Sequence, residues 1–138
     1  EQRRETLVLD LSGAGGNFAL VGGPQTGKST ALRTIVQSLS LTYTPQEVQF
    51  YVMDFGGGTF AGFAGAPHVA GIATRDTEEV RTRMIAEIAA IMDDRERYFR
   101  AHGIDSMDTY RRGRLEGRYD DGYGDVFLVI DGWGALRS

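Results

Sequence analysis

Two kinds of hydrophobic pattern alternate along this chain. Three short apolar runs, at 17–21, 48–55 and 126–131, have the length and composition of strands buried on both faces, as in a parallel sheet. Two stretches between them repeat apolar residues every three to four positions, which predicts amphipathic helices, one from about residue 31 and one over about 78–101. This alternation predicts an α/β fold with a largely parallel central sheet between helices.

Weaker patterns flank these elements. The residues from Thr6 to Leu11 alternate in a way that predicts a peripheral strand, and a short strand is predicted near 71–73. The long helix is predicted to begin at a capping box formed by Asp76 and Glu79. Its buried stripe is predicted to comprise Val80, Met84, Ile88, Ile91 or Met92, Arg95 and Phe99.

The loop between the strand at 17–21 and the next helix carries the strongest chemical signal. It matches the pattern G-x-x-x-x-G-K-[ST], in which backbone N–H groups surround phosphate oxygens. Lys28 is predicted to neutralise the β and γ phosphates of a bound nucleotide, and the Ser29 hydroxyl to bind Mg²⁺. The predicted cofactor-binding residues are Gly22, Gly23, Pro24, Gln25, Thr26, Gly27, Lys28, Ser29 and Thr30.

Two acidic residues end strands that the pattern places near this loop. The run VFLVID predicts a central strand that brings Asp131 beside the phosphates, where its carboxylate would hold Mg²⁺ directly or through water. Asp54 ends the strand at 48–55, at the edge where open α/β sheets bind their ligands. For Asp54, a role near the nucleotide and a structural role, capping the turn at 56–58, are equally well supported.

Composition narrows the function further. The chain has no cysteine and only two histidines, so a metal site built from these residues is not expected. His68 is interpreted as a hydrogen-bonded structural residue rather than a catalyst. A net charge of −4 gives no broad basic surface, so nucleic acid is not an expected partner. No apolar run approaches the roughly 18 residues that span a bilayer, and we expect this stretch to be soluble.

Charged residues are dense between Asp93 and Asp121, where seven arginines accompany eight acids. Such interleaving predicts a solvated, ion-paired surface. Contact of the RRGR run at 111–114 with a nucleic-acid backbone is the weaker alternative. A loop leading to the last strand is predicted from Gly113, Gly117, Gly122 and Gly124.

With these motifs the sequence resembles the FtsK/SpoIIIE class of P-loop ATPases and, within it, the EccC ATPases of type VII (ESX) secretion systems. The likeness covers nearly the whole chain. It includes EQRRETLVLDLSGAGGNFALVGGPQTGKST, FYVMDFGGG, the segment from Pro67-His68 through IATR, MDDRERYF and, most specifically, VFLVIDGWGALR.

The resemblance implies a RecA-like fold in a membrane-anchored protein with tandem ATPase domains on the cytoplasmic side of the plasma membrane. It implies partners of three kinds: neighbouring ATPase domains of the same protein, further copies in a homo-oligomer, and small helical proteins that are secreted. Contact with the membrane would come through another part of the full-length protein.

The sequence departs from active members of this class at Gly132. Their Walker B aspartate, here Asp131, is followed by an acid that activates water. The chain also stops seven residues after Asp131, before the remaining strands and any trans-acting arginine. We therefore expect 1–138 to be the N-terminal portion, through Walker B, of one such domain, with the fold incomplete at its C-terminus. We also expect it to be one of the later, degenerate modules.

These observations predict an ATP-binding module of a type VII secretion motor that couples nucleotide binding to assembly and export, with weak or no hydrolysis. Whether the module is an enzyme stays open because of Gly132. A DNA-translocating ATPase of the same class is one alternative, and the acidic composition opposes it. The other is a catalytically silent interaction module in which ATP is structural.

Overall fold

The computed structural model describes residues 6–11, 17–22, 26–58 and 60–132, with side chains from residue 31 onward. A short 3₁₀ turn lies at Ala61–Phe63. The strands and helices are β1 (Thr6–Leu11), β2 (Asn17–Gly22), α1 (Thr26–Thr42), β3 (Val48–Asp54), β4 (Val69–Thr74), α2 (Glu78–His102), α3 (Met107–Leu115) and β5 (Asp125–Asp131).

The strands form one sheet in the order β1-β2-β5-β3-β4. Strands β2, β5, β3 and β4 run parallel, whereas β1 pairs with β2 in the antiparallel direction. This confirms the predicted, largely parallel sheet. Because parallel strands end at one edge, β2, β5 and β3 deliver Gly22, Asp131 and Asp54 to the same side of the molecule.

Helices cover both faces of the sheet, and successive side chains of β3 point to opposite faces. On one face, Leu32 and Val36 of α1 pack against Phe50, Val52 and Val129. The opposite face packs against α2 through Met84, Ile88, Ile91, Tyr51, Met53, Ala73, Val126 and Ile130. The central strands are therefore buried on both sides, which explains their continuous apolar sequences.

The long helix α2 confirms the predicted stripe but not the predicted cap. Its buried residues are Met84, Ile88, Ile91, Arg95 and Phe99. The N-cap residue is Thr77, whose side chain makes no capping bond to the helix. Instead Thr77 Oγ1 accepts a hydrogen bond from the Thr74 N–H at 2.8 Å, so the capping box of Asp76 and Glu79 is wrong. The Thr77 hydroxyl therefore accepts a hydrogen bond within the turn after β4, and not from an N–H group of the first turn of α2.

Helix α3 was not predicted from the sequence. Ser106 is its N-cap and accepts a hydrogen bond from the Thr109 N–H at 3.1 Å, and the helix buries its own Met107 and Tyr110. Gly113, predicted to open a loop, instead lies inside this helix, and the Tyr119 ring packs where its Cβ would be. A serine cap followed by apolar residues at helical spacing was the available signal.

The arginine-rich segment is only partly a solvated surface. Arg97 and Arg100 are exposed and pair with acids one turn away, as predicted. For Arg95 the prediction of a solvated arginine is wrong. Its side chain is fully buried, and its Nε donates a hydrogen bond to Asp121 at 2.7 Å. Arg95 is at once a member of the α2 stripe and the centre of a buried ion pair.

Candidate functional site

The predicted phosphate loop joins β2 to α1. Strand β2 ends at Gly22 and α1 begins at Thr26, which is the strand, loop and helix order that the motif requires. The loop residues Gly23, Pro24 and Gln25 lie outside the described residues, so their part in binding stays a prediction.

The first turn of α1 carries the other predicted contacts. Thr26, Gly27, Lys28, Ser29 and Thr30 are helical, and the helix runs for 17 residues. A helix N-terminus presents free N–H groups and a partial positive charge, which favour an anion. The single lysine of the whole chain, Lys28, stands at this point. The assigned roles of the Lys28 and Ser29 side chains remain predictions.

Asp131 lies at the same edge of the sheet, one strand away. It ends β5, pairs in register with Asp54 of β3, and is fully buried. Its backbone carbonyl accepts a hydrogen bond from the Phe55 N–H at 2.9 Å, so the two strands stay joined past the end of β3. Because Val21 pairs with Ile130, the neighbour of Asp131, the phosphate loop begins beside this carboxylate.

The donor set fits Mg²⁺ better than a metal held by protein alone. Across 6–11, 17–22, 26–58 and 60–132, no group of three or more His, Cys, Asp or Glu gathers around one point. Mg²⁺ at nucleotide sites is held by one or two protein oxygens, by phosphates and by water. A single buried carboxylate at Asp131 suits that chemistry, with the Ser29 hydroxyl as the predicted second ligand.

The Asp54 carboxylate is engaged with the chain that follows it. One oxygen accepts a hydrogen bond from the Gly56 N–H at 3.1 Å, and the other from the Phe60 N–H at 2.9 Å. Of the two roles that the sequence left open, the structure supports the cap. Asp54 shapes the connection from β3 toward the 3₁₀ turn.

Gly132 follows Asp131 with a left-handed backbone, at φ 79°. A Cβ at Gly132 would lie 2.8 Å from the Gly56 nitrogen and 2.8 Å from the Phe55 carbonyl carbon. Real Cβ atoms do not approach backbone so closely. The place beside Asp131 where an acid is expected is therefore occupied by the end of β3.

Two further predictions concern side chains away from this edge. His68 Nε2 donates to the Tyr43 carbonyl at 2.6 Å, which confirms a structural role for this histidine. In the RRGR run, Arg111 and Arg114 pair with Asp125 at 3.4 and 3.8 Å. These arginines brace α3 against the start of β5, which favours the ion-paired interpretation over contact with nucleic acid.

Two open cavities lie at the opposite edge of the sheet, where β3 and β5 begin. Their volumes are about 680 and 550 Å³, and both are lined by Glu47, Arg114 and Leu115. Neither is lined by Asp54 or Asp131. They are separate from the site at the strand ends.

Comparison with known proteins gives consistent matches. Residues 1–138 match the FtsK/SpoIIIE family. Over all of its length the chain is 58% identical to the ESX secretion system protein EccC of Thermomonospora curvata and 50% identical to the ESX-4 secretion system protein EccC4 of Mycobacterium tuberculosis. It covers 11% of each. A solved structure of T. curvata EccC, ATPases 2 and 3 in complex with a signal sequence peptide, matches 94% of the chain at 57% identity and TM-score 0.76, and the chain covers 23% of it.

These matches agree with the layered sheet described above, and the fold is RecA-like, as predicted. The chain spans about a tenth of the length of the curated relatives. Within the ranges that the structure describes, no helix is long and apolar enough to cross a membrane.

Proposed function

This chain belongs to the FtsK/SpoIIIE family, and we propose that it is an ATP-binding module of a type VII (ESX) secretion motor of the EccC kind. One observation carries the proposal. A complete G-x-x-x-x-G-K-[ST] sequence joins β2 to α1, and Asp131 ends the adjacent parallel strand at the same edge of the sheet.

The residues divide the work by their chemistry. Lys28 and the N–H groups of the loop and the first turn of α1 bind the β and γ phosphates. Ser29 and Asp131 hold Mg²⁺, which neutralises phosphate charge when it is bound. Strand β5 lies between β2 and β3, and the pairing of Asp131 with Asp54 supports a fixed backbone at this residue.

Turnover by this module is slow or absent. An oriented base contributes about 10²–10⁴ in rate, and Gly132 has no side chain to supply one. Asp54, the other carboxylate at this edge, is committed to two backbone N–H groups. The specific observation that favours a silent module with structural ATP is thus the backbone of β3 at the place of the missing acid.

The wider setting is proposed from the relatives. Residues 1–138 form part of one ATPase domain, through Walker B, in a chain with neighbouring ATPase domains. The assembly is a homo-oligomer that exports small helical proteins from the cytoplasmic side of the plasma membrane. The EccC relatives, of which this chain covers 11%, have length enough for such further domains.

Calorimetry on the intact protein that contains this chain tests the assignment. Lys28→Ala removes a charge-assisted contact worth about 1.5–3 kcal/mol, which corresponds to roughly a tenfold to hundredfold loss of ATP affinity in Mg²⁺. The matched control is Arg33→Ala, which removes an exposed cation from the same helix. Equal ATP affinity in the wild type and Lys28→Ala would contradict the phosphate-loop assignment.

Phosphate release tests the silent character of the module. At saturating ATP, with the other ATPase modules inactivated, we expect turnover below about 1 s⁻¹. Faster release that Lys28→Ala abolishes would make this module a motor in its own right. Nanomolar affinity for plain duplex DNA with a steep salt dependence would instead favour the translocase alternative.

A further inference from the structure

The ends of β3 and β5 approach each other closely, backbone against backbone. Asp54 and Asp131 pair in register, and the Phe55 N–H continues the ladder to the Asp131 carbonyl at 2.9 Å. The next residues on the two strands are Gly56 and Gly132. Their backbones approach so closely that a Cβ at Gly132 would lie 3.0 Å from the Gly56 Cα.

Gly56 is a glycine for a different reason from Gly132. The left-handed backbone of Gly132 favours glycine by itself, but Gly56 is not among the residues with positive φ. A Cβ at Gly56 would lie 3.1 Å from Asp131 Oδ2 and 3.5 Å from its Cγ. An alanine methyl would therefore press against the Asp131 carboxylate, which would have to move by a few tenths of an ångström.

The segment that carries Gly56 is tied down on both sides. The Asp54 carboxylate accepts hydrogen bonds from the Gly56 and Phe60 N–H groups. Phe60 is fully buried and packs in the core with Val52 and Val129. Because this segment is held, a methyl group at Gly56 would displace the carboxylate rather than the backbone.

We propose that Gly56 is a positioning residue for the Asp131 carboxylate, and that Gly132 lets β3 approach closely enough for Gly56 to act. The backbone at the end of β3 occupies the space of a side chain at 132 and limits where the carboxylate can lie. This inference rests on the proposed function, in which Asp131 serves Mg²⁺ bound with ATP.

The test measures ATP affinity of the intact protein by calorimetry, with Mg²⁺ and with a chelator in its place. The quantity of interest is the ratio of the two affinities. Gly56→Ala should reduce this ratio about tenfold or more, as loss of support around a metal ligand does, and should leave the affinity without Mg²⁺ unchanged. Electron paramagnetic resonance of Mn²⁺ added with ATP gives a second readout, as the fraction of metal bound.

Gly62→Ala is the matched control. Gly62 lies in the 3₁₀ turn of the same connection, has no positive φ, and has open space where a Cβ would be. Its Mg²⁺ ratio should equal that of the wild type. If Gly56→Ala matched the wild type too, or weakened ATP equally with and without Mg²⁺, the positioning role would be overturned.

A double-mutant cycle with Asp131→Asn separates positioning from general damage. If Gly56 acts through Asp131, then Gly56→Ala should change the Mg²⁺ ratio no further once Asp131 is Asn. A further fall of the ratio in that background would overturn the proposal.

Two more outcomes keep the test decisive. If Gly56→Ala loses ATP binding altogether, Asp131→Glu is the variant to measure. Its longer side chain keeps the charge but not the position, so the ratio of ATP affinities with and without Mg²⁺ should still fall. A ratio equal to that of the wild type would overturn the proposal. A wild type that binds ATP with no Mg²⁺ dependence overturns the positioning role alone. A wild type that binds no ATP overturns the proposed function as well.

Discussion

Two regions of the molecule bury a carboxylate, and they do so by opposite means. Around Asp121, side chains converge from several elements. Arg95 Nε donates to it at 2.7 Å and the Tyr110 hydroxyl at 2.6 Å, while Arg95 Nη2 donates to the carbonyls of Tyr123 and Gly124. We call this group, Arg95, Tyr110 and Asp121, the buried corner.

At the strand ends around Asp131, backbone does the packing. The Phe55 N–H donates a hydrogen bond to the Asp131 carbonyl. Glycine at 56 and 132 lets the backbones that follow β3 and β5 come into contact. The buried corner therefore depends on side chains being present, whereas the contact between the strand ends depends on side chains being absent at 56 and 132. Truncations should damage the first region, and additions should damage the second.

The largest effect is expected from Arg95→Met. Removing the guanidinium leaves the Asp121 carboxylate buried without its cation, and breaking a buried ion pair costs about 3–5 kcal/mol. Native-state hydrogen exchange of the intact protein should show this loss at amides of α3 and β5.

Arg97→Ala is the control for that experiment. Arg97 lies on the same helix, but its side chain is 61% exposed and pairs with the exposed Asp93 and Asp94. Exposed pairs contribute about 0–1 kcal/mol, so protection should hardly change. Similar losses in both variants would mean that the buried corner adds no more stability than a surface pair.

The second largest effect is expected from Gly132→Glu. Active members of the resembled class carry a water-activating acid at this position, which suggests that glutamate would raise turnover. At φ 79°, with backbone 2.8 Å from the Cβ position, the acid should instead destabilise the strand ends by about 2–4 kcal/mol. Phosphate release should not rise above that of the wild type.

Gly117→Ala separates the two causes of that loss. Gly117 has nearly the same backbone angle, at φ 81°, with open space where a Cβ would be. It should lose only the conformational part, about 1–2 kcal/mol. Equal losses for Gly117→Ala and Gly132→Ala would contradict the tight contact with β3, and faster phosphate release by Gly132→Glu would contradict the blocked site.

The sequence predicted the strands, the two longer helices and the order of strand, loop and helix because each has a pattern within its own residues. Continuous apolar runs such as 48–54 follow from burial on both faces, and the stripe of α2 follows from packing on one face. The site edge was also predictable, since parallel strands end together and Asp131 ends one of them.

What the sequence could not show are contacts between distant segments. The spacing of α2 places Arg95 on the buried stripe, but only the structure shows its partners there, Asp121 and the carbonyl of Gly124. Gly56 looks like part of a GGG turn, and only the structure shows that the Asp131 carboxylate lies within 3.1 Å of the place where a Cβ would be. Such constraints join residues far apart in the chain, so no local pattern records them.

The third effect is a pH dependence of the buried corner. Burial, and then the hydrogen bond to Asp121, raise the pKa of Tyr110 from 10 to about 12. A raised pKa means that the neutral phenol stabilises the fold, fully below pH 10 and progressively less as pH rises to about 12. Tyr110→Phe should therefore cost most below pH 10, and its deficit should shrink by on the order of 2 kcal/mol up to pH 12. A constant deficit, measured by hydrogen exchange or denaturation, would contradict this.

The smallest effect is expected from Asp54→Asn, which tests the cap at the strand ends. An amide oxygen can accept from the Gly56 or the Phe60 N–H, but the NH₂ group cannot accept from the other. Losing one such bond should cost about 1 kcal/mol and speed exchange of the affected amide. Because the connection is then held less firmly, the Mg²⁺ dependence of ATP affinity should fall, but by less than in Asp131→Asn. A loss as large as that of Asp131→Asn would mean that Asp54 acts at the metal itself, and the cap would then be the lesser of its two roles.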